Sequence, residues 1–229
     1  MSQRTAARLA GFVHVFVMPF ALFPAFYVWP RINVPNDAAG TAANLITFER
    51  LYRIGIVSEL ITWALDIVLL LALYVLLRQV HKHHALLAAF FRIVETSILL
   101  VTTLLGLVAL QILHGDYMKA FEPGQQAALA RLAVSASAVG YDIGLMFLGL
   151  GSATFAYLFF KSGYIPRALA GWGVFASVFL LVGVMAMVIF PDLKAFLMPG
   201  YFVPIFSYEL ALGLWLLLKD VRLEATRET

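Results

Sequence analysis

Cysteine is absent from the 229 residues of this chain, which excludes disulfides, thiolate nucleophiles, iron–sulfur clusters and thiolate metal sites. Charge is also scarce. Asp, Glu, Lys and Arg make up 13% of the sequence, against about 25% in a typical soluble domain. Hydrophobic residues make up 62%, an excess over what one soluble core can bury, because a soluble domain must cover its surface with polar groups. These proportions exclude a soluble globular enzyme, a disordered chain and a nucleic-acid-binding module, and they indicate an integral membrane protein.

Catalytic and nucleotide-binding signatures are missing as well. The sequence contains no HExxH, GxSxG or P-loop motif, no GxGxxG followed by a strand, and no paired Asp-rich motif suited to magnesium–diphosphate chemistry. His81, His83 and His84 resemble a metal cluster by composition alone, because they lie in a short basic link between two apolar segments. The sequence therefore predicts no cofactor and no metal site and assigns no catalytic residue. Its net charge of +3 requires no nucleic-acid partner.

The chain does contain six long apolar segments, separated by turn signals or charges. A helix that crosses the hydrocarbon core of a bilayer needs about 20 mostly apolar residues, and the segments lack the sustained alternation of transmembrane strands. The first segment is longer than the apolar part of a signal peptide, so we expect it to be retained. We predict an all-α integral membrane protein, a bundle of six transmembrane helices in a single domain over 1–229, with spans at 9–29, 54–77, 85–113, 132–160, 168–190 and 201–218.

Two features predict how the bundle meets the membrane interface. Apolar side chains recur on one side of residues 41–53, which is typical of a short interfacial helix between the first two spans. Trp29, Trp172 and Trp215 lie near segment ends, as interface anchors do. Pro19, Pro24 and Pro30 are expected to kink or end the first span.

Basic residues predict the orientation. With six spans and a cytoplasmic N-terminus, nine basic residues lie inside and six outside, so the positive-inside rule favours cytoplasmic N- and C-termini. The inner residues are Arg4, Arg8, Arg78, Lys82, Lys161, Arg167, Lys219, Arg222 and Arg227. The outer residues are Arg31, Arg50, Arg53, Lys119, Arg131 and Lys194.

The informative charges are those inside the apolar segments. A charged group at the centre of a bilayer costs at least about 2.5–3.5 kcal/mol, so each should face protein or water and have a partner. With a rise of about 1.5 Å per residue, acids on four different helices reach nearly the same depth, where one arginine can neutralise only one of them. The candidates for a proton, ion or ligand site are Asp66, Glu95, Asp142, Glu209, Arg92 and Glu59. The candidates for a pocket wall are Trp63, Thr62, Tyr141 and Tyr208.

Helical spacing favours clustering of these groups. Glu59 and Asp66 are seven residues apart and share one helix face, and Arg92 and Glu95 are close enough to pair along their helix. Carboxylates crowded in a medium of low dielectric constant oppose each other's ionisation, so at least one is expected to hold a proton, as in proton relays and cation sites. The alternative is that the charged groups serve only to hold helices together, with Arg92 paired to one acid and the other acids hydrogen-bonded.

Other polar and small residues favour packing. Gly140 and Gly144 allow close approach of a neighbouring helix, on a face nearly opposite Asp142. His14 stands alone in the first apolar segment, and we interpret it as a packing histidine.

Several stretches of the chain resemble one bacterial multi-pass membrane family, which is catalogued as domain of unknown function 4386. They are RIGIVSEL at 53–60, Asp66, ALYVLLR at 72–78, Phe91 with Arg92, SGYIPR at 162–167 and ELALGLWL at 209–216. The resemblance implies this fold, a bacterial cytoplasmic (inner) membrane location, and characteristic polar positions at Arg53, Asp66, Arg92 and Glu209, with Glu59 where an acid is typical. One position departs from the family pattern, because Gly151 stands where many members carry His. The resemblance implies no activity.

Three functions remain open on this reasoning. The first is a small proton- or cation-linked transporter or conducting protein, which the acids at one depth beside Arg92 favour. It would act as a homodimer, because one copy is small and has no visible inverted repeat. The second is an intramembrane enzyme that acts on a lipid or isoprenoid by acid catalysis. The third is an accessory or assembly subunit whose exposed faces bind another membrane protein. In each case the lipid bilayer is the surrounding partner.

Overall fold

The computed structural model describes residues 1–219, apart from the side chains at 195, 198 and 199. Arg222 and Arg227, two of the charges predicted to be cytoplasmic, lie outside the described residues. Every regular element in the described chain is helical, and no strand occurs there. The all-α prediction is confirmed.

The helices follow one another with short links. They are α1 (Gln3–Phe23), a π-helical turn (Pro24–Val28), α2 (Trp29–Ile32), α3 (Ala38–Thr47), α4 (Glu49–Leu77), α5 (Lys82–His114), a 3₁₀ turn (Asp116–Ala120), α6 (Pro123–Ser162), α7 (Arg167–Ile189), a 3₁₀ turn (Pro191–Leu193) and α8 (Lys194–Leu218).

Six helical stretches of the described chain are long and apolar enough to cross a membrane, which confirms the predicted number of spans and indicates a membrane protein. They are Gln3–Ile32, Glu49–Leu77, Lys82–His114, Pro123–Ser162, Arg167–Ile189 and Gly200–Leu218. Two of them have 33 and 40 residues. At about 1.5 Å per residue these helices are longer than the hydrocarbon core is thick, so they tilt or extend beyond it.

Two helices begin earlier in the chain than the spans predicted for them. The fourth span was predicted to start at residue 132, but α6 begins at Pro123. Proline suits the first position of a helix, because a backbone N–H there would have no hydrogen-bond partner within the helix. The Gln125 side chain accepts a hydrogen bond from the Glu122 backbone N–H at 3.0 Å, which caps this start. Residues 191–200 separate the predicted fifth and sixth spans, yet α8 starts at Lys194. The first turns of α6 are polar and extend the helix beyond its apolar run, whereas α8 simply begins before Pro199 and Gly200, which are typical of a turn.

The link between the first two spans contains a helix, but not with the predicted bounds. Asp37 caps α3 by accepting a hydrogen bond from the Gly40 backbone N–H at 2.8 Å. The helix ends at Thr47 because Phe48 leaves the helical conformation, with φ −106° and ψ 26°. Residues 49–53, predicted to belong to the same helix, are instead the first turn of α4. The location of α3 at the membrane interface stays a prediction.

The prolines of the first span change its helix type without ending it. The chain shifts to π-helical geometry at Pro24, which has no N–H to donate, and returns to an α-helix that runs to Ile32. The first span is therefore three residues longer at its end than the predicted limit of residue 29.

Contacts between Cα atoms divide the chain into two compact units. Unit 1 comprises Met1–Phe16, Leu65–Thr96 and the described chain from Ile143 on, and unit 2 comprises Val17–Ala64 and Ser97–Asp142. In unit 1, α1 and α8 pack closely where both have a glycine. A Cβ on Gly11 would lie 2.8 Å from the carbonyl oxygen of Gly213. The core of unit 2 consists of Val28, Ile32, Leu45, Tyr52, Ile56, Ala109, Leu110, Ala133 and Val134.

Candidate functional site

An arginine with two carboxylates forms the centre of unit 1. Arg92 of α5 places Nη1 at 2.9 Å from Glu95 Oε2 on the same helix and Nη2 at 3.5 Å from Asp66 Oδ1 on α4. All three residues are buried, with 8%, 3% and 9% of their surface exposed, respectively. The Nη1 and Oε2 atoms are close, but they are not aligned for a hydrogen bond. The structure therefore brings together three of the predicted site residues in an ion-pair cluster that excludes most solvent.

A third acid, on α8, interacts electrostatically with these three residues. Glu209 is half-buried, and it interacts electrostatically with Arg92, Asp66 and Glu95. Among the described residues it has no ion pair within 4 Å. One positive charge thus stands against three negative ones, a net charge of −2 if every group is ionised. Arg92, Asp66, Glu95 and Glu209 are called the arginine cluster below.

Small residues make room for the arginine cluster. A Cβ at Gly151 of α6 would lie 2.8 Å from Cγ and 3.0 Å from Cδ of Arg92, so the aliphatic part of the arginine occupies the space that a side chain would fill. A larger side chain at this position would require the arginine to move. Tyr208 of α8, predicted as pocket wall, is buried with its ring against Gly173 of α7.

Sequence reasoning missed one member of this neighbourhood. His14 of α1 is buried and interacts electrostatically with Arg92. Its Cβ packs against Gly213, where an added Cβ would lie only 2.8 Å away. A lone histidine in an apolar segment gives no signal of which charge it will lie near, because that depends on the packing of α1 against α8.

A second carboxyl site, of different composition, lies in unit 2. Glu59 of α4 accepts hydrogen bonds from Thr103 Oγ1 at 3.0 Å and from Trp29 Nε1 at 3.3 Å. Trp63 Nε1 donates to Thr103 Oγ1 at 3.0 Å. Thr62, on the same helix as Glu59, donates its hydroxyl to the Ser58 carbonyl at 3.0 Å. We call Glu59, Trp29, Thr103 and Trp63 the tryptophan site.

A small cavity adjoins the tryptophan site. Its volume is about 10 Å³, close to the space that one water molecule needs. Glu59, Trp29, Tyr52, Thr103 and Gly106 are among the residues that line it. The Tyr52 hydroxyl is the polar group of interest, because Tyr52 is 1% exposed and its oxygen has no hydrogen-bond partner among the described residues.

The remaining candidates lie in unit 2 as well. Tyr141 and Asp142 of α6 are half-buried, so the predicted acids are divided between the two units, and a role for Asp142 with the others stays a prediction. The neighbouring Gly140 faces α5, because a Cβ there would lie 2.7 Å from Thr102 Cγ2. Ser137 Oγ donates to the Thr102 carbonyl at 3.0 Å, which fits the packing interpretation of this helix face.

The three histidines predicted to lie in one link are exposed, but only His81 precedes α5, and His83 and His84 belong to its first turn. The Nδ1 atoms of His81 and His84 lie 2.7 Å apart. Within residues 1–219, no three or more His, Asp or Glu side chains are grouped so that they could hold a metal ion.

Comparison with known proteins identifies a family and no closer relative. A family model described as Domain of unknown function (DUF4386) matches residues 9–219. No curated protein and no solved structure matches the chain.

Proposed function

The chain belongs to the family of domain of unknown function 4386, and from this premise we propose that it is a small proton- or cation-linked transporter or conducting protein. The description of the family assigns no activity, so the proposal depends on the geometry of the site. The observation that carries it is the arginine cluster, in which Arg92 is shared by Asp66 and Glu95 while Glu209 interacts from a third helix.

Charge balance gives the cluster its proposed chemistry. A surplus of negative charge in a medium of low dielectric constant is expensive, and a proton or small cation bound at one carboxylate would remove part of it. Arg92 can exchange one carboxylate partner for another with little change in total charge. A group that binds and releases a proton or cation beside such an arginine is what a proton- or cation-coupled step requires.

The setting of the cluster completes the proposal. We place the chain in the bacterial cytoplasmic membrane with both termini in the cytoplasm, because this orientation puts more basic residues on the inside. A single copy has six candidate spans, and we propose that it acts as a homodimer.

The two other functions receive less support. An enzyme that acts on a lipid or isoprenoid needs a pocket for a long chain, and the cavity beside Glu59, at about 10 Å³, does not itself supply one. An accessory subunit needs the charges only as packing pairs, which the Arg92 contacts also suit. The experiment below separates transport from packing.

The test is proton flux into proteoliposomes that contain a trapped pH-sensitive dye, driven by a potassium diffusion potential. Glu209→Gln is the first variant, because Glu209 has no ion pair within 4 Å among the described residues and its neutralisation breaks no close contact. We expect loss of flux in Glu209→Gln and Asp66→Asn, since neither variant can carry the proton. The control is Glu122→Gln, at an exposed position before α6, which should retain flux. Thermal unfolding of the same samples measures stability. Unchanged flux in both site variants would contradict the proposal, and lower stability with unchanged flux would favour the packing role.

A further inference from the structure

We infer that Glu59 is a second proton-binding carboxyl, and that one water molecule, held by the Tyr52 hydroxyl in the adjoining cavity, delivers its proton. This site belongs to unit 2 and contains none of the residues of the arginine cluster. The inference does not depend on the proposed transport function, because a carboxyl can bind a proton at equilibrium without any flux.

The hydrogen bonds of Glu59 compensate its charge only in part. Its two oxygens each accept one hydrogen bond, from Trp29 and from Thr103, and both donors are neutral. Within the described residues no cation lies within 4 Å of Glu59. Two neutral hydrogen bonds offset only part of the cost of a charge in a bilayer. The remaining cost is removed when the carboxylate takes up a proton.

The donor and acceptor roles of these partners follow from their chemistry. An indole N–H can only donate, so Trp63 donates to Thr103 Oγ1 and leaves the threonine hydrogen free to point to Glu59. Thr103 Oγ1 also lies 3.1 Å from the Leu99 carbonyl oxygen, to which the hydroxyl can turn when Glu59 holds a proton. The site thus has an alternative arrangement for each protonation state of the carboxyl.

The cavity beside Glu59 has the polar groups and the size to hold one water molecule. Glu59 and Tyr52 are the titratable groups among its lining residues, and Trp29, Thr102 and Thr103 supply its other polar side chains. The unpartnered Tyr52 hydroxyl, 1% exposed, needs a hydrogen-bond partner. A volume of about 10 Å³ suits one water molecule, which can accept from Tyr52 and donate to the carboxylate.

The chemistry favours a proton over a metal cation. A metal ion needs several oxygen lone pairs, but Trp29 presents N–H and the Thr103 hydroxyl donates its hydrogen to Glu59. When the bound water is protonated to hydronium, one of its O–H bonds breaks as a new O–H bond forms on the carboxylate. The products are a neutral carboxylic acid and a neutral water, and Tyr52 keeps its own proton throughout.

The experiment is infrared difference spectroscopy on the full chain in lipid nanodiscs, in sodium-free solution. It compares an alkaline buffer with a mildly acidic one, kept above the ordinary pKa of solvent-exposed carboxyls of about 4 so that these stay ionised. The signal is the C=O stretching band of protonated carboxylic acid. We expect Glu59→Gln to remove one carboxyl's share of this band, whereas Glu122→Gln, which alters an exposed acid, should leave the spectrum in the C=O region as it is in the wild type. Tyr52→Phe should keep the band but shift its midpoint pH, because the water loses its donor.

A second pair of variants tests the water. Gly106→Ala places a methyl group 2.7 Å from the original position of the Tyr52 hydroxyl oxygen, so it should reproduce the shift seen in Tyr52→Phe. Gly171→Ala is the matched control, since a Cβ there meets nothing within 4 Å. A full carboxylic acid band in Glu59→Gln would overturn the inference, and so would a band in the wild type that sodium abolishes at constant pH. Glu209→Gln should keep the Glu59 share of the band, so failure of the transport proposal and failure of this inference give different results.

Discussion

The two carboxyl sites of this chain stabilise acids within apolar helices in different ways. In the arginine cluster a buried cation lies 2.9 Å and 3.5 Å from two carboxylates, whereas in the tryptophan site Glu59 has only neutral donors, at 3.0 Å and 3.3 Å. Charge pairs lower the energy of ionised acids strongly but leave a charged group behind when one partner is removed. Neutral hydrogen-bond donors stabilise an ionised acid less, and removing one of them costs less free energy. The comparison predicts that substitutions in unit 1 have larger effects than substitutions in unit 2.

The largest effect is expected from Arg92→Leu. This change leaves Asp66, Glu95 and Glu209 without a cation, and removing one partner of a buried ion pair typically costs about 3–5 kcal/mol. The measurement is the free energy of unfolding in detergent, by denaturant titration. Arg53→Leu is the matched control, because Arg53 also pairs with a glutamate on its own helix, at 2.7 Å, but the two side chains are 54% and 33% exposed. An exposed pair of this kind contributes little to the free energy of unfolding. Equal losses in the two variants would mean that burial does not distinguish the clusters.

The difference between the two sites also separates what the sequence could predict from what it could not. The number of spans follows from long apolar runs, and the pairing of Arg92 with Glu95 follows from a spacing of three residues on one helix. The partners of Glu59 lie 30 and 44 positions away in the chain. No periodicity relates such positions, and the place of Trp29 near a segment end predicted only an interface anchor.

Close approaches were equally hidden in the sequence. Gly151 contacts the stem of Arg92 only because α5 and α6 pack at that point, and His14 comes near Arg92 through the packing of α1. Helix periodicity placed Glu59 and Asp66 on one face of α4, but it could not tell that the chain divides into units between them, at Ala64 and Leu65. Helix spacing therefore gave the Arg92–Glu95 pair, and tertiary packing decided which other groups surround each acid.

A middle-sized effect is expected from Thr103→Val, which keeps the shape of the side chain and removes the hydroxyl. Trp63 then loses its acceptor and Glu59 loses a donor. Hydrogen bonds between helices in membranes are worth about 0.6 kcal/mol on average, so the loss should be about 1–2 kcal/mol in the free energy of unfolding. Thr102→Val is the control, because the Thr102 hydroxyl is also buried but donates only to the Leu99 carbonyl of its own helix. A loss as large as that of Arg92→Leu would remove the distinction between charged and neutral sites.

The smallest effect is expected from Trp29→Phe, which removes a single donor to Glu59 and keeps an aromatic ring edge-on to Tyr52 at a centroid distance of 5.6 Å. One hydrogen bond between helices is worth about 0.6 kcal/mol, and the long distance of 3.3 Å favours a value no larger than that. Trp172→Phe is the control. Its indole donates to Ser207 at 3.2 Å, but the residue is 42% exposed. We expect little change there, and about 0.6 kcal/mol lower free energy of unfolding in Trp29→Phe. If Trp29→Phe instead costs as much as Thr103→Val, the indole and the threonine share one cooperative network around Glu59, and the carboxyl is held more tightly than its neutral partners suggest.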